Sequence, residues 1–175
     1  MAITPPERIW WKPLGPHERL WVAISTLFVL ALFVTMPLWQ TLSKQATPEI
    51  TYRVTSAQYR EMVSSFIKRY QVGQEGYLPV VAPPPGDVYL MAQQWQWTPI
   101  LRLVKGQAYK LHLGSVDVNH GFSLQPVNIN FQIVPGYDQV VELTPTEAGE
   151  YTVVCNEFCG VGHQMMIGRI VVVEK

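Results

Sequence analysis

The chain has 175 residues, a formal net charge of zero, 15% charged side chains and 48% apolar ones. That length holds one compact domain plus an extra element and excludes two full domains. Globular chains usually carry about 25% charged residues, so part of this chain is expected not to face water.

The first element answers that deficit. From Leu20 to Ser43, "LWVAISTLFVLALFVTMPLWQTLS" carries no charged side chain. Its roughly 24 residues make about 36 Å of helix at 1.5 Å per residue, enough to span the hydrocarbon core of about 30 Å with some tilt. Trp21 and Trp39 stand near its ends, where amphipathic rings favour the membrane interface. A buried core helix of this length would carry charge on its outer face, and a cleaved signal peptide is the other alternative; a retained single-span anchor over residues 19–43 is the expectation. Arg8, Lys12 and Arg19 precede the span, and Lys44 is the only basic residue after it before Arg53. The positive-inside rule then keeps residues 1–18 in the cytoplasm and sends everything after the span outside.

Residues 44–85 read as a linker containing one helix. In "VTSAQYREMVSSFIKRYQVG", the residues Tyr59, Met62, Val63, Phe66, Ile67 and Tyr70 follow helical spacing, which predicts an amphipathic helix over 55–71. Thr55 and Gln58 have capping-box spacing, Val54 and Tyr59 are placed as a staple, and Gly73 can end the helix. Packing against protein is favoured over lying on lipid. The run "APPPG" at 82–86 is the clearest boundary, because consecutive prolines stay extended.

After it the pattern changes to short strands, "DVYLMAQQW", "AYKLHLG", "VNINFQIV", "QVVELT", "EYTVVC" and "GRIVVV". Such runs, divided by Gly, Pro, Asn and Asp, predict a mainly β domain over 86–175, a sandwich or Greek-key barrel. Beyond residue 78 acidic residues outnumber basic ones by eight to five; that balance speaks against nucleic acid and leaves room for a basic protein partner.

Both cysteines of the chain fall in "CNEFCGVGHQMM", residues 155–166. Cys155, Cys159, His163 and Met166 follow one another at spacings of four, four and three, and Gly160 and Gly162 let the loop turn back. A disulfide between Cys155 and Cys159 suits an exported domain but leaves His163 and Met166 unexplained. Structural zinc has little use for a thioether. Soft thiolate and thioether donors favour copper, and the second cysteine separates this pattern from a mononuclear blue-copper site, because two thiolates held together can bridge two metals. Of the other histidines, His17 lies on the far side of the span, His112 alternates with Leu111 and Leu113 as an ordinary strand position, and His120 sits at a turn in "DVNHGF".

Together, "DVNHGF", the "VPG" turn at 134–136 and C-x-E-x-C-G-x-x-H-x-x-M resemble subunit II of heme-copper cytochrome c oxidase. The resemblance implies a cupredoxin-like Greek-key barrel carrying dinuclear copper A. It implies bridging thiolates from Cys155 and Cys159, imidazoles from His120 and His163, a weak thioether from Met166, and the backbone carbonyl of Glu157. Met165 is assigned to packing. "QQWQW" resembles the family's aromatic stretch for electron input, which points to Trp95 and Trp97.

The single span resembles the compact B-class, ba-type members, and implies the plasma membrane of a prokaryote with the copper domain on the periplasmic or outer face. Asn130 and Gln132 stand where larger members carry an acid before the "PG" turn, so the magnesium site of those proteins is not carried over. The implied partners are the heme-copper subunit I, a cytochrome c or small copper-protein donor, and the lipid membrane. The oxygen chemistry would belong to subunit I. Alternatives are the copper A subunit of a nitric oxide reductase of the same superfamily and, from a different class, a membrane-anchored copper carrier.

Overall fold

A computed structural model describes residues 3–4, 13–43, 48, 50–127 and 129–175. Arg8, Lys12 and Lys44, which set the expected orientation, lie outside the described residues. The chain divides into two units, residues 1–45 and 46–175.

The first unit is helix α1, Pro16–Leu42, and it is long and apolar enough to cross a membrane. Proline at the first position needs no hydrogen-bond partner for its nitrogen, and the Gly15 N–H donates to Glu18 Oε2 at 2.7 Å. None of its residues is buried in the protein. The hydroxyls of Thr26, Thr35 and Thr41 donate back to the carbonyls of Val22, Leu32 and Leu38, so these polar groups demand nothing of the surroundings. Pro37 lies inside the helix, within its last two turns, where the lost backbone bond is tolerated.

The second unit is two sheets packed face to face. One contains β1 (Ile50–Arg53), β10 (Tyr137–Leu143), β7 (Tyr109–Ser115), β4 (Gly86–Gln93) and β5 (Gln96–Thr98), in that order. The other contains β2 (Gln71–Glu75), β3 (Leu78–Val81), β6 (Ile100–Val104), β12 (Ile167–Val173), β11 (Gly149–Val154), β8 (His120–Gln125) and β9 (Ile129–Ile133). Alternation decides which side chains enter the core. Tyr109, Leu111 and Leu113 of β7 face inward to meet Leu101, Leu103, Phe122 and Ile170 from the other sheet. Lys110, His112 and Gly114 face the other way.

Helix α2, Ser56–Tyr70, covers part of that outer face. Its capping box forms between Thr55 and Gln58 as the spacing predicts. Tyr59, Val63 and Phe66 are the buried positions, and the Tyr59 ring rests where any Cβ at Gly114 would collide with it. The helix ends at Tyr70, before Gly73, because Gln71 turns extended and opens β2.

The segment expected to be a linker is part of the sandwich. β1 pairs antiparallel with β10, and the β2–β3 hairpin joins the second sheet through parallel pairing of β3 with β6. Arg169 on β12 reaches both Glu75 on the hairpin and Glu150 on β11. "APPPG" therefore lies between strands of one domain, not at its border.

Candidate metal centre

Three connections converge at one end of the sandwich. β11 delivers Cys155, the start of β8 delivers His120, and the loop from Cys155 to Met166 returns the chain to β12. The loop is closed at its base by the Cys155 N–H donating to the Met166 carbonyl at 3.2 Å. Gly160 holds φ at +120°, a conformation that L side chains rarely adopt. A short 3-10 turn, His163–Met165, then folds His163 back: its N–H donates to the Gly160 carbonyl at 3.0 Å.

The result is a compact set of donors. The sulfurs of Cys155 and Cys159 are 3.7 Å apart and both thiols are free. His120 Nδ1 lies 3.8 Å from Cys155 Sγ, and the Glu157 carbonyl accepts from that thiol at 3.3 Å. Cys159 Sγ lies 3.6 Å from His163 Nδ1 and 3.8 Å from Met166 Sδ. His120, Cys155, Cys159 and Met166 are each at most 4% exposed, whereas His163 is half-buried and Glu157 exposed apart from its carbonyl contact. His120, Cys155 and Cys159 offer three ligand atoms within 4.8 Å of one another. Burial, helped by the hydrogen bond and charge of Cys155, pushes the Cys159 thiol up to about 11. The clustered thiols, imidazoles and thioether are donors that suit a soft metal ion.

One family profile, described as the periplasmic domain of cytochrome c oxidase subunit II, matches residues 99–174. A cytochrome c oxidase subunit 2 from Thermus thermophilus is 39% identical over 93 residues, covering 53% of this chain and 69% of the relative. The chain belongs to the cytochrome c oxidase subunit II family. For a second Thermus thermophilus subunit 2, also 39% identical, the match covers 55% of the relative, so this chain spans about half of that protein. The heme-copper oxidase subunit 2 of Aeropyrum pernix is 25% identical, and the match takes in 100% of this chain and 89% of the relative.

Among solved structures, a chain of a heme-copper terminal oxidase dimer superposes with a TM-score of 0.57 at 24% identity, covering 90% of this chain and 99% of that one. A rusticyanin variant gives 0.53 at 18%, covering 71% and 98%. The fold of this subunit II family member is thus the cupredoxin-like one, on a chain that also carries an apolar N-terminal helix.

Two residues within the quoted stretches that were assigned no role, Asp117 of "DVNHGF" and Gln94 of "QQWQW", hold the set in place. Asp117 Oδ1 is 2.8 Å from His120 Nε2, which leaves Nδ1 free to face the cysteines. Its other oxygen accepts from the Gln94 backbone N–H at 2.7 Å, and Gln94 Nε2 donates to the Cys159 carbonyl at 2.7 Å. Burial would raise the Asp117 carboxyl, but the hydrogen bonds of His120, Gln94 and Val118 with the His120 charge outweigh it and hold the group low. Asp117 thus ties the histidine-bearing segment to the β4–β5 turn, and the Gln94 side chain ties the cysteine-bearing segment to the same turn.

Trp95 lies in that turn and Trp97 in β5 after it, and their rings go to different places. Trp95 is 41% exposed, and its ring covers Gly162 so closely that any Cβ there would collide. Trp97 is 1% exposed and packs edge-on to Phe122 and His120, with ring centroids at 5.8 and 6.4 Å. Met165, read from sequence as packing, is 68% exposed and joins Phe158, Val161 and Ile167 in an apolar rim. Glu157 is the one acid in the ligand loop.

Proposed function

We propose that this chain is the electron-input subunit of a membrane heme-copper terminal oxidase and holds dinuclear copper A. The observation that carries this reading is the pair of free cysteine sulfurs 3.7 Å apart, flanked by two imidazoles and a thioether. That donor set fits copper better than zinc, because the thioether is soft. Cys155 and Cys159 would bridge; His120, His163, Met166 and the Glu157 carbonyl would complete the two ends. Such a centre supplies a one-electron carrier whose charge is shared between two ions, so its ligands move little between oxidation states.

The chain's own residues account for the rest. Cys155 and Cys159, each at most 4% exposed, sit among apolar side chains that exclude water. Asp117 fixes the His120 ring through Nε2. Trp95 lies between solvent and the ligand loop, so a cytochrome c or small copper-protein donor docking over that loop would pass its electron through that ring; Trp97 is reserved for packing. Helix α1 would anchor the chain with its N-terminus in the cytoplasm and the copper domain on the outer face. It carries no charged or histidine side chain from Leu20 to Ser43, so oxygen reduction, heme ligation and proton transfer would belong to subunit I.

The test is made in the intact complex. Trp95→Leu is expected to slow reduction by a reduced donor protein about tenfold or more, equivalent to 1.4 kcal/mol, with copper content and reduction by a small dye unchanged. Equal donor kinetics in the variant would remove Trp95 from the path. Turnover on oxygen and not on nitric oxide separates the oxidase from the reductase alternative.

A further inference from the structure

A second set of metal-binding side chains lies on the other sheet, beside α2. The outer face of β4, β7 and β10 forms the floor of a cleft of about 490 Å³ whose lining includes Met62, Asp87, Lys110, His112 and Asp138. His112, 8% exposed, is held from behind: its Nδ1 is 2.7 Å from Oδ2 of Asp138, a carboxylate only 2% exposed. The ring stacks on Tyr89 at 4.5 Å between centroids. Nε2 faces Oδ1 of Asp87 at 3.4 Å, and the Asp87 side chain is 62% exposed at the cleft's rim.

The contact is a long hydrogen bond or ion pair; burial lowers the His112 imidazole, but the hydrogen bonds and charges of Asp138 and Asp87 outweigh it and hold the group raised. Two ligands on one tetrahedral zinc, with bonds of about 2.0–2.2 Å, stand about 3.3–3.6 Å apart. The placement of Asp138 is also that of a carboxylate behind a metal-binding imidazole; in the neutral ring with the proton on Nδ1, the Nε2 lone pair faces the cleft. Independently, Asp138 Oδ1 is buried with no hydrogen-bond partner. A buried carboxylate so poorly satisfied is stabilised by positive charge on the far side of its histidine.

We propose that His112 Nε2 and the Asp87 carboxylate form an open site for a divalent transition ion of zinc's class, with Asp138 as the positioning residue. Water fills the remaining coordination positions, for which the cleft has room. Lys110 lines the same cleft, as does Arg53, whose guanidinium lies 5.8 Å from the Tyr137 ring centroid. Their charges oppose the cation, so binding is moderate and one exchangeable ion is expected. This site shares no residue with the cysteine cluster and stands or falls separately from the copper reading.

The experiment is a Zn²⁺ titration of the full copper-loaded chain in detergent, read by competition with a chromophoric chelator at about pH 8, where an ordinary imidazole is neutral. One zinc is expected to bind without change in copper content or visible spectrum. Asp87→Asn and His112→Gln should each weaken it tenfold or more, and Asp138→Asn by about tenfold, the usual cost of losing an outer carboxylate. Asp87 is at the rim and its variant keeps the fold, so it decides alone if His112→Gln does not fold. Zinc binding unchanged by Asp87→Asn, zinc that displaces copper, or no bound zinc overturns the site.

Discussion

Replacing Cys159 by serine should abolish the proposed centre and, with it, electron input. Cys159 Sγ touches three of the other donors, at 3.7 Å to Cys155, 3.6 Å to His163 and 3.8 Å to Met166. A serine hydroxyl is a hard, weakly acidic donor that cannot bridge soft metals as a thiolate does. Loss of a mere outer-shell partner costs about 10–100-fold in metal affinity, so loss of a bridging ligand should cost more. The expected result is a copper-to-protein ratio that falls from two to one or fewer. Reduction of the complex by its donor protein should slow by about 100-fold or more. Inorganic reductants acting on subunit I should still work. A Cys159→Ser chain that retains both coppers and full donor kinetics would refute the bridging role.

The second large effect is expected from a single methyl group. Gly121 follows His120 in β8, and a Cβ there would meet the Asn156 side-chain oxygen, the Glu157 backbone nitrogen at 2.7 Å and Glu157 Cγ at 2.9 Å. Asn156 is itself tied to Asn130, its Nδ2 donating to Oδ1 at 2.9 Å, and a backbone nitrogen cannot swing aside as a side chain can. Either the strand bearing His120 or the loop bearing Cys155 and the Glu157 carbonyl must move. Overpacking of this kind costs about 1–3 kcal/mol. Gly121→Ala should therefore lower the denaturation midpoint and also change the visible spectrum of the copper-loaded chain, because both neighbours of the clash are proposed ligands. A stability loss with an unchanged spectrum would mean that the strand yields away from the metal.

Much of this was legible in the residues. Helix α1 follows from an uncharged run, and α2 from spacing and its cap. The six expected strands formed within a few residues of their bounds, because alternation such as that in β12 reflects one buried face. Of the strands that escaped notice, β1 and β2 lack that signal. β2 reads "QVGQE", polar and glycine-containing, and all of its residues are exposed; it is a strand because β3 lies beside it, a non-local cause that local pattern does not carry. β1 likewise exists through pairing with β10.

At the candidate centre, the spacing from Cys155 to Met166 names the loop donors, but His120 became a candidate only through the resemblance to a family. Asp117 opens the stretch "DVNHGF" but was given no role of its own. Its position three residues before His120 was the available clue, yet its contact with Gln94 spans 23 residues and depends on the fold. His112 shows the converse, an ordinary strand residue by pattern that the neighbouring strands surround with two carboxylates.

The most direct measurement on the copper reading is metal content together with electron paramagnetic resonance of the oxidised, copper-loaded full chain. Two coppers per chain with the unpaired spin shared equally between both nuclei is the result expected of thiolates from Cys155 and Cys159 bridging one mixed-valence centre. One copper with the spin on a single nucleus, or no copper because the two cysteines have joined in a disulfide, would contradict it.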